Sequence, residues 1–387
     1  MLDADALRAD LRRHYPGADA GEARIVRAPG RVNLIGEHTD YNDGLVLPAA
    51  INLETWIAAV PAGDRRVELT LDDGSVDGFD LDAIGPARES WVDTVAGIAW
   101  ALLEAGVALR GLRGAVRTEI PIGSGLSSSA ALQLAAAWAM AESPPPMGPM
   151  ELAQAAQRAE NRYVGVRSGI MDQFASAHGS VDAALLLDCR SLEFRSVELP
   201  LERYALVVCD TRSPRKLESS EYNLRRQQCE AAVEVLARHA PGIASLRDVD
   251  ADLLERHAGE LDPVSLRRAR HVVAENDRVE ATVAAFEDGD LGRVGELWGA
   301  SHASLRDLYE VSSPELDALV EIAAGTPGVV AARMTGAGFG GCTVNLVERG
   351  AVETLAARVA AEYPRRFGRS ADVHAVEPAI GAGEVAV

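Results

Sequence analysis

The sequence predicts a mixed α+β protein, of two or three domains or of two lobes around a cleft. Three observations lead there. The chain is 387 residues long and 48% hydrophobic, which is enough for sizeable cores and argues against disorder. Its early half alternates short Val/Ile/Leu-rich runs with helical patterns, whereas residues 218–325 read mostly as helix. Near the end the order becomes strand, strand, helix, strand.

The elements follow from periodicity and breakers. Residues 2–14 read as an amphipathic helix and 24–27 as a short strand ended by Pro29-Gly30. Residues 45–60 read as strand with a bend or edge at Pro48, and 66–71 alternate like a strand. The acidic stretch 72–82 misses the register of a calcium loop and reads as a solvated turn. Helical periodicity covers 91–105, 127–142, 150–161, 218–239, 265–286 and 352–363. Strands are expected at 112–120, 184–187, 204–208, 329–334, 343–347 and 371–376. The shift to long helices puts the lobe boundary after residue 209, giving lobes 1–209 and 210–387.

Charge and composition exclude several functions. There are 38 Lys+Arg against 58 Asp+Glu, a net charge of −20. A chain this acidic is not expected to bind nucleic acid or an anionic membrane. It contains one lysine, Lys216. No Gly-Lys pair exists, so a Walker A loop is excluded, and no early-strand lysine exists for a protein-kinase nucleotide site. No stretch of about 18 uncharged apolar residues predicts a membrane span, and the N-terminal residues do not form a signal peptide. Cys189, Cys209, Cys229 and Cys342 form no C-x-x-C pair, so a reduced, cytoplasmic protein is expected. No obligate protein partner is evident.

Four segments carry chemistry. Pro121-Ile-Gly-Ser-Gly-Leu-Ser-Ser-Ser-Ala130 follows a strand and opens an Ala/Leu helix. Its glycines allow close backbone approach, and the unpaired helical N–H groups with three hydroxyls make an anion cradle without lysine. The alternative is a serine cap on an ordinary turn. Gly336-Ala-Gly-Phe-Gly-Gly341 matches G-x-G-x-x-G, but the following Cys342–Val347 alternates like a strand, where a dinucleotide fold needs a helix. A glycine turn closing over a ligand or a backbone is the better reading. Ala28–Gly44 concentrates Arg31, Asn33, Glu37, His38, Asp40 and Tyr41. It offers a metal site from Glu37, His38 and Asp40 or hydrogen bonds to a polyol, with a solvated loop as the plain alternative. Asp172, between Met171 and Gln173, is either a helix cap or a general base raised by burial.

Together these segments resemble the GHMP kinase superfamily. The 121–130 stretch is similar to its phosphate-binding motif and Met334–Gly341 to its C-terminal glycine motif. Arg31-Val-Asn-Leu-Ile-Gly-Glu-His-Thr-Asp-Tyr41 narrows the resemblance to the galactokinase family. Gly169-Ile-Met-Asp-Gln173, Ser220-Glu-Tyr-Asn-x-Arg225 and Gly381-Ala-Gly383 agree with it, in the same order along nearly the whole chain.

The resemblance implies a two-lobed fold: an N-terminal mixed sheet with helices and a C-terminal ferredoxin-like split β-α-β lobe. It implies ATP-dependent phosphorylation of the C1 hydroxyl of α-D-galactose, with ATP as co-substrate and Mg²⁺ as cofactor. Asp172 and Arg31 then match the catalytic pair, and Glu37, His38, Asp40, Gly169 and Tyr222 the sugar-binding positions. Gly123, Ser124, Gly125, Leu126, Ser127, Ser128 and Ser129 match the triphosphate cradle, and Trp91 a tryptophan near adenine. Ser129 and Glu160 match the metal positions. The chain departs from the family after that tryptophan, with Trp91-Val-Asp-Thr-Val95 where Trp-x-Asn-Tyr-Val is frequent. A kinase for another sugar and a non-catalytic sugar sensor are the rival readings.

Overall fold

The computed structural model describes residues 2–141, 144–213 and 218–385. Lys216 lies outside the described residues. The chain forms an α+β fold with three sheets, of six, four and three strands.

The six-stranded sheet is mixed. From one edge its order is Gly383–Glu384, Arg24–Asn33, Pro48–Pro61, Leu112–Thr118, Arg66–Thr70 and Val76–Asp80. Neighbours are antiparallel except Arg66–Thr70 beside Leu112–Thr118, which run parallel. The Ala-rich helix Ser128–Met140 packs on Arg24–Asn33, because alanines let a helix lie close to a sheet. The acidic stretch expected to be all turn is a hairpin: Asp72-Asp73-Gly74 makes the bend, with Gly74 at φ 83°, and Val76–Asp80 returns as strand. An Asp-Gly pair between alternating runs is a hairpin signal in its own right.

A second correction matters more for the site. The first strand does not end at Pro29-Gly30; it runs on to Asn33. A register shift between Pro29 and Gly30 absorbs the irregularity, as a bulge does where a strand must re-aim its side chains. Gly30 is required there because a Cβ would lie 2.6 Å from the Leu126 carbonyl oxygen. The next N–H, of Arg31, donates to that same carbonyl at 3.1 Å. The serine-rich loop is thus docked on the strand through a residue without a side chain.

The four-stranded sheet is antiparallel, in the order Val329–Thr335, Cys342–Glu348, Tyr204–Asp210, Asp372–Val376. The strand that comes first in the chain lies between the third and fourth, the arrangement of a split β-α-β layer. Long helices, among them Glu218–Leu236, Pro263–Glu287 and Leu291–Ser304, fill the connection between its first two strands. Asp262 caps the longest of them, with Pro263 in its first turn. Tyr204–Asp210 is buried on both faces. Tyr204, Leu206 and Val208 join the core that extends under the N-terminal sheet, while Ala205, Val207 and Cys209 join the core beneath Val352–Phe367. This is the two-residue period of a central strand. A lobe division after residue 209 would separate this strand from its own sheet, so we place the division in the turn before it, at residues 199–203.

Residues 336–341 link two antiparallel strands, Val329–Thr335 and Cys342–Glu348. A strand follows the glycines, so the dinucleotide reading is excluded. No helix among the described residues is long and apolar enough to cross a membrane.

Gly30→Ala forces a methyl group against the Leu126 carbonyl. It is expected to lower stability to unfolding by about 1–3 kcal/mol, read as a lower urea midpoint. A midpoint equal to that of the parent would show that this contact does not hold the loop.

Candidate active site

The segments singled out from sequence converge on one cavity of about 460 Å³. Arg31, Glu37, His38, Asp40, Gly123, Gly125, Ser127, Ser128, Ser129, Glu160, Gly169, Asp172 and Tyr222 all line it. Ser124, Leu126 and Trp91 do not. The Ser124 hydroxyl turns inward to the Pro121 carbonyl at 2.6 Å. Leu126 is a core residue, and Trp91 packs against the N-terminal core. Val166, Ser168, Met171, Gly336 and Ala337 complete the wall, and nothing in the residue types of Val166, Met171 and Ala337 marked them for it.

Arg31 and Asp172 form the centre. The strand delivers Arg31 from below, 3% exposed, and the helix Met171–His178 presents Asp172 in its first turn. Arg31 donates from Nε and Nη2 to the same carboxylate oxygen, Oδ1, at 2.9 and 2.6 Å. Its Nη1 donates to the Gly125 carbonyl at 2.6 Å. Oδ2 of Asp172 has no described hydrogen-bond partner, and the side chain remains 31% exposed. One guanidinium therefore ties a carboxylate to the serine-rich loop.

That loop has the shape of an anion cradle. Gly123 and Gly125 adopt φ of 72° and 77°, and Ser127 sits at φ 62° before the helix Ser128–Met140. The Ser127 side chain does not cap the helix, and its buried hydroxyl has no partner. The simple serine-cap alternative therefore does not hold. The helix N-terminus opens on the cavity with its positive dipole end uncapped by this side chain.

The opposite wall is polar and tightly packed. Asp40 takes the Tyr41 N–H at 3.0 Å. Its carboxyl is pushed up to about 6, by burial first and then by the Asp172 charge, against donation from the Tyr41 and Met171 backbones. Gly169 is indispensable beside it, since a Cβ there would lie 2.0 Å from Asp40 Oδ2. The Tyr222 hydroxyl accepts from the Gly169 backbone, and its ring lies 5.5 Å from that of His38. Burial lowers His38 to about 3, so the ring is neutral. Its Nε2 is 3.1 Å from the Ala337 carbonyl; a carbonyl only accepts, so Nε2 carries the proton. Nδ1 then accepts from the Tyr41 hydroxyl at 2.8 Å. Both ring nitrogens are already engaged within the protein.

Behind Glu37 lies a charge network with no counterpart in the sequence reading. Burial raises the Glu37 carboxyl, and Arg333 opposes the rise by ion pairing. Glu37 Oε1 also accepts the Gly336 N–H at 3.1 Å. Arg333 is fully buried and donates to the Leu34 carbonyl at 3.0 Å and Ser301 Oγ at 3.1 Å. Glu275 takes the Gly36 N–H at 3.1 Å. Burial works to raise its carboxyl, yet Arg278, His271 and Arg333 hold it down at about 2. The donor atoms of Glu37, His38 and Asp40 do not converge as a metal-ligand set, which leaves the polyol reading of this wall.

Glu160 faces the cavity from the π-helical turn Ala159–Val164. Ser168 Oγ and Gln173 Nε2 both donate to its Oε2, at 2.5 and 2.7 Å. Its carboxyl is pushed up to about 7, by burial and by the Asp172 charge. A carboxylate so raised, across the cavity from exposed Ser129, is a hard oxygen donor short of positive charge. That fits Mg²⁺.

Models of known families match in three blocks. The galactokinase galactose-binding signature covers residues 12–61, the GHMP kinase N-terminal domain 93–180 and the GHMP kinase C-terminal domain 282–365. The chain is 47% identical over 388 residues to a galactokinase of Roseiflexus sp. (strain RS-1), across 100% of this chain and 98% of that one. The chain belongs to the galactokinase family. A galactokinase of Chloroflexus aggregans is 45% identical over 374 residues, covering 96% and 95% of the two chains. Among solved structures, Lactococcus lactis galactokinase complexed with galactose superposes with a TM-score of 0.93 at 37% identity, over 98% of this chain and 99% of that one. A mevalonate kinase at 17% identity and TM-score 0.62, covering 92% and 99%, shares the fold. As a galactokinase of the GHMP kinases, the protein is an ATP-using kinase.

Two expectations follow. Gly169→Ala displaces the Asp40 carboxylate and should abolish detectable galactose binding in calorimetry while nucleotide binding persists; retained galactose binding would remove Asp40 from the sugar wall. Asp40 also weighs on stability. Its folded pKa, raised to about 6, lies above the unfolded value near 3.9. The folded state therefore loses stability as pH rises through that window and stays at its lower level above it. Asp40→Asn should be more stable than the parent at pH 8, by on the order of 2 kcal/mol. The gap should shrink on acidification from pH 6 to 4, as followed by urea unfolding; a gap independent of pH would contradict the raised pKa.

Proposed function

We propose that this galactokinase transfers the γ-phosphoryl group of ATP to the C1 hydroxyl of α-D-galactose, giving galactose 1-phosphate and ADP. The observation that carries this reading is the Arg31–Asp172 pair. It stands between a polar, sugar-sized wall and an uncapped helix N-terminus, with Arg31 bonded to both the carboxylate and the loop.

The galactose hydroxyls meet Glu37, Asp40 and Tyr222, with neutral His38 packed beside Tyr222. Asp40 and Tyr222 act on the 3- and 4-hydroxyls and so separate galactose from its 4-epimer. Asp172 Oδ2 accepts a hydrogen bond from the C1 hydroxyl and aligns its oxygen on the γ-phosphorus. As the new P–O bond forms, the hydroxyl proton passes to Asp172 and the bond to the β-phosphate oxygen breaks, releasing ADP. Arg31 keeps the carboxylate in place and offsets charge on the transferring group. The triphosphate lies against the backbone N–H groups at Gly123, Gly125 and Ser127–Ser129. Ser129 and Glu160 would hold Mg²⁺, which supplies neutralisation of phosphate charge in this chemistry. Most of the catalysis is then positioning and electrostatics.

The test is a nucleotide-coupled assay over free monosaccharides with Mg²⁺, with phosphorus NMR locating the product phosphate. Galactose is expected to be phosphorylated at C1 and glucose to react far more slowly. Asp172→Asn should lower kcat by about 10²–10⁴-fold with ATP binding unchanged. An Asp172→Asn variant that keeps most of its activity would remove the carboxylate from the chemical step. Absence of turnover of every sugar by the parent, with sugar binding retained, would favour a sensor.

A further inference from the structure

A second cluster of ligand-type side chains lies outside the cavity, among the helices inserted in the C-terminal sheet. His239 follows the helix Glu218–Leu236, with its N–H on the Leu236 carbonyl at 3.0 Å. His257 ends the helix Ala251–Arg256, its N–H directed at the Leu253 and Glu255 carbonyls. Glu260 stands one turn further on, its N–H 2.9 Å from the His257 carbonyl. The two imidazoles stack with centroids 3.8 Å apart and planes 17° from parallel. His239 Nε2 lies 2.8 Å from Glu260 Oε2, and His257 Nδ1 lies 2.9 Å from Oε1. The three donor atoms all fall within 4.8 Å of one another, and no other trio of His, Cys, Asp or Glu among the described residues does so.

Two imidazoles and a carboxylate are a nitrogen and oxygen donor set that suits zinc. A tetrahedral zinc with bonds of about 2.0–2.1 Å spaces its ligand atoms about 3.3 Å apart. The two imidazole–carboxylate contacts are shorter than that, so to admit the ion the triad opens and the near-parallel rings turn until both lone pairs meet it. The surroundings favour a cation independently of the donors. Two helices end here and turn the negative ends of their dipoles toward the cluster, in a chain of net charge −20.

We infer that His239, His257 and Glu260 form a zinc site with three protein ligands and a fourth position open to water. The ion clips the far end of the helix that carries Tyr222 to the turn at residues 257–260. None of the three residues lines the cavity, so the site is structural and separate from phosphoryl transfer.

Zn²⁺ is titrated calorimetrically into the full-length, chelator-stripped protein with Mg²⁺ saturating. One zinc equivalent is expected in the parent. His257→Gln should weaken it at least tenfold, and the double variant His239→Gln/His257→Gln should lose it. Galactose phosphorylation without zinc should be the same in all three. Zinc should also raise the unfolding temperature of the parent and not that of the double variant. The proposal falls if the parent takes up no zinc, or if the double variant binds it like the parent, which would assign the ion to other groups such as Cys189. Should the double variant fail to fold, Glu260→Gln serves instead: zinc binding weakened at least tenfold supports the site, and unchanged binding overturns it.

Discussion

A single guanidinium sets the geometry on which the catalytic cavity depends. Arg31 is almost wholly buried, and an arginine in that position is tolerated only where its charge and N–H groups are met. Here they are met by Asp172 Oδ1 and the Gly125 carbonyl. Satisfying one buried charge therefore fixes the distance between the Asp172 carboxylate and the serine-rich loop, which under our proposal handle the acceptor and the donor. The strand's continuation past Pro29 aims Arg31, and the missing side chain at Gly30 lets the loop come within reach. The same economy explains how so acidic a chain can hold a polyanion. Positive potential is concentrated in a helix N-terminus and one arginine, joined under our proposal by a metal ion that Ser129 and Glu160 would hold.

The wall around Glu37 and His38 is held by a second set of buried charges that bridges the lobes. Arg333 comes from the C-terminal sheet and Glu37 from the segment after the first strand, while Glu275 and His271 come from the longest helix. His271 Nε2 contacts the Glu37 carbonyl at 3.1 Å. Beside them runs an oriented chain from the Cys229 thiol through Tyr309 and Tyr41 to His38 and the Ala337 carbonyl. Each link constrains the proton position of the next. Such a wall is costly to assemble, because each buried charge and polar group in it must find a partner.

Much of the site was legible in the sequence because its pieces are local. The glycines and serines of 121–130 announce a backbone that must turn tightly and present donors, and the crowding of Arg, Glu, His, Asp and Tyr at 31–41 has no ordinary structural excuse. The alternation after Gly341 was enough to reject a dinucleotide fold. What escaped was non-local. Arg333 and Glu275 are isolated charges about 300 and 240 positions from their partners in the first segment, and no local pattern marks a charge that will be buried. The strand through Pro29-Gly30 was missed because breakers were read as stops, whereas a bulge uses them to redirect. The expected division after residue 209 cuts the strand Tyr204–Asp210, because its partners lie more than a hundred residues later in the chain.

The six-stranded sheet has one further property, which concerns synthesis rather than catalysis. Its first strand is flanked on one side by Gly383–Glu384, and Arg24 bonds to Glu384 across 360 residues of chain. The nearby Ile51–Pro378 bridge adds a second late contact. As the polypeptide leaves the ribosome, the outer edge at Val26 and Arg27 stays without this partner until Gly383–Glu384 has been made. An open strand edge is a template for unwanted pairing, and contacts of such long range form slowly. The strand that carries Arg31 therefore waits longest for its edge partner, and truncations that remove residues 377–385 would leave Val26 and Arg27 without it.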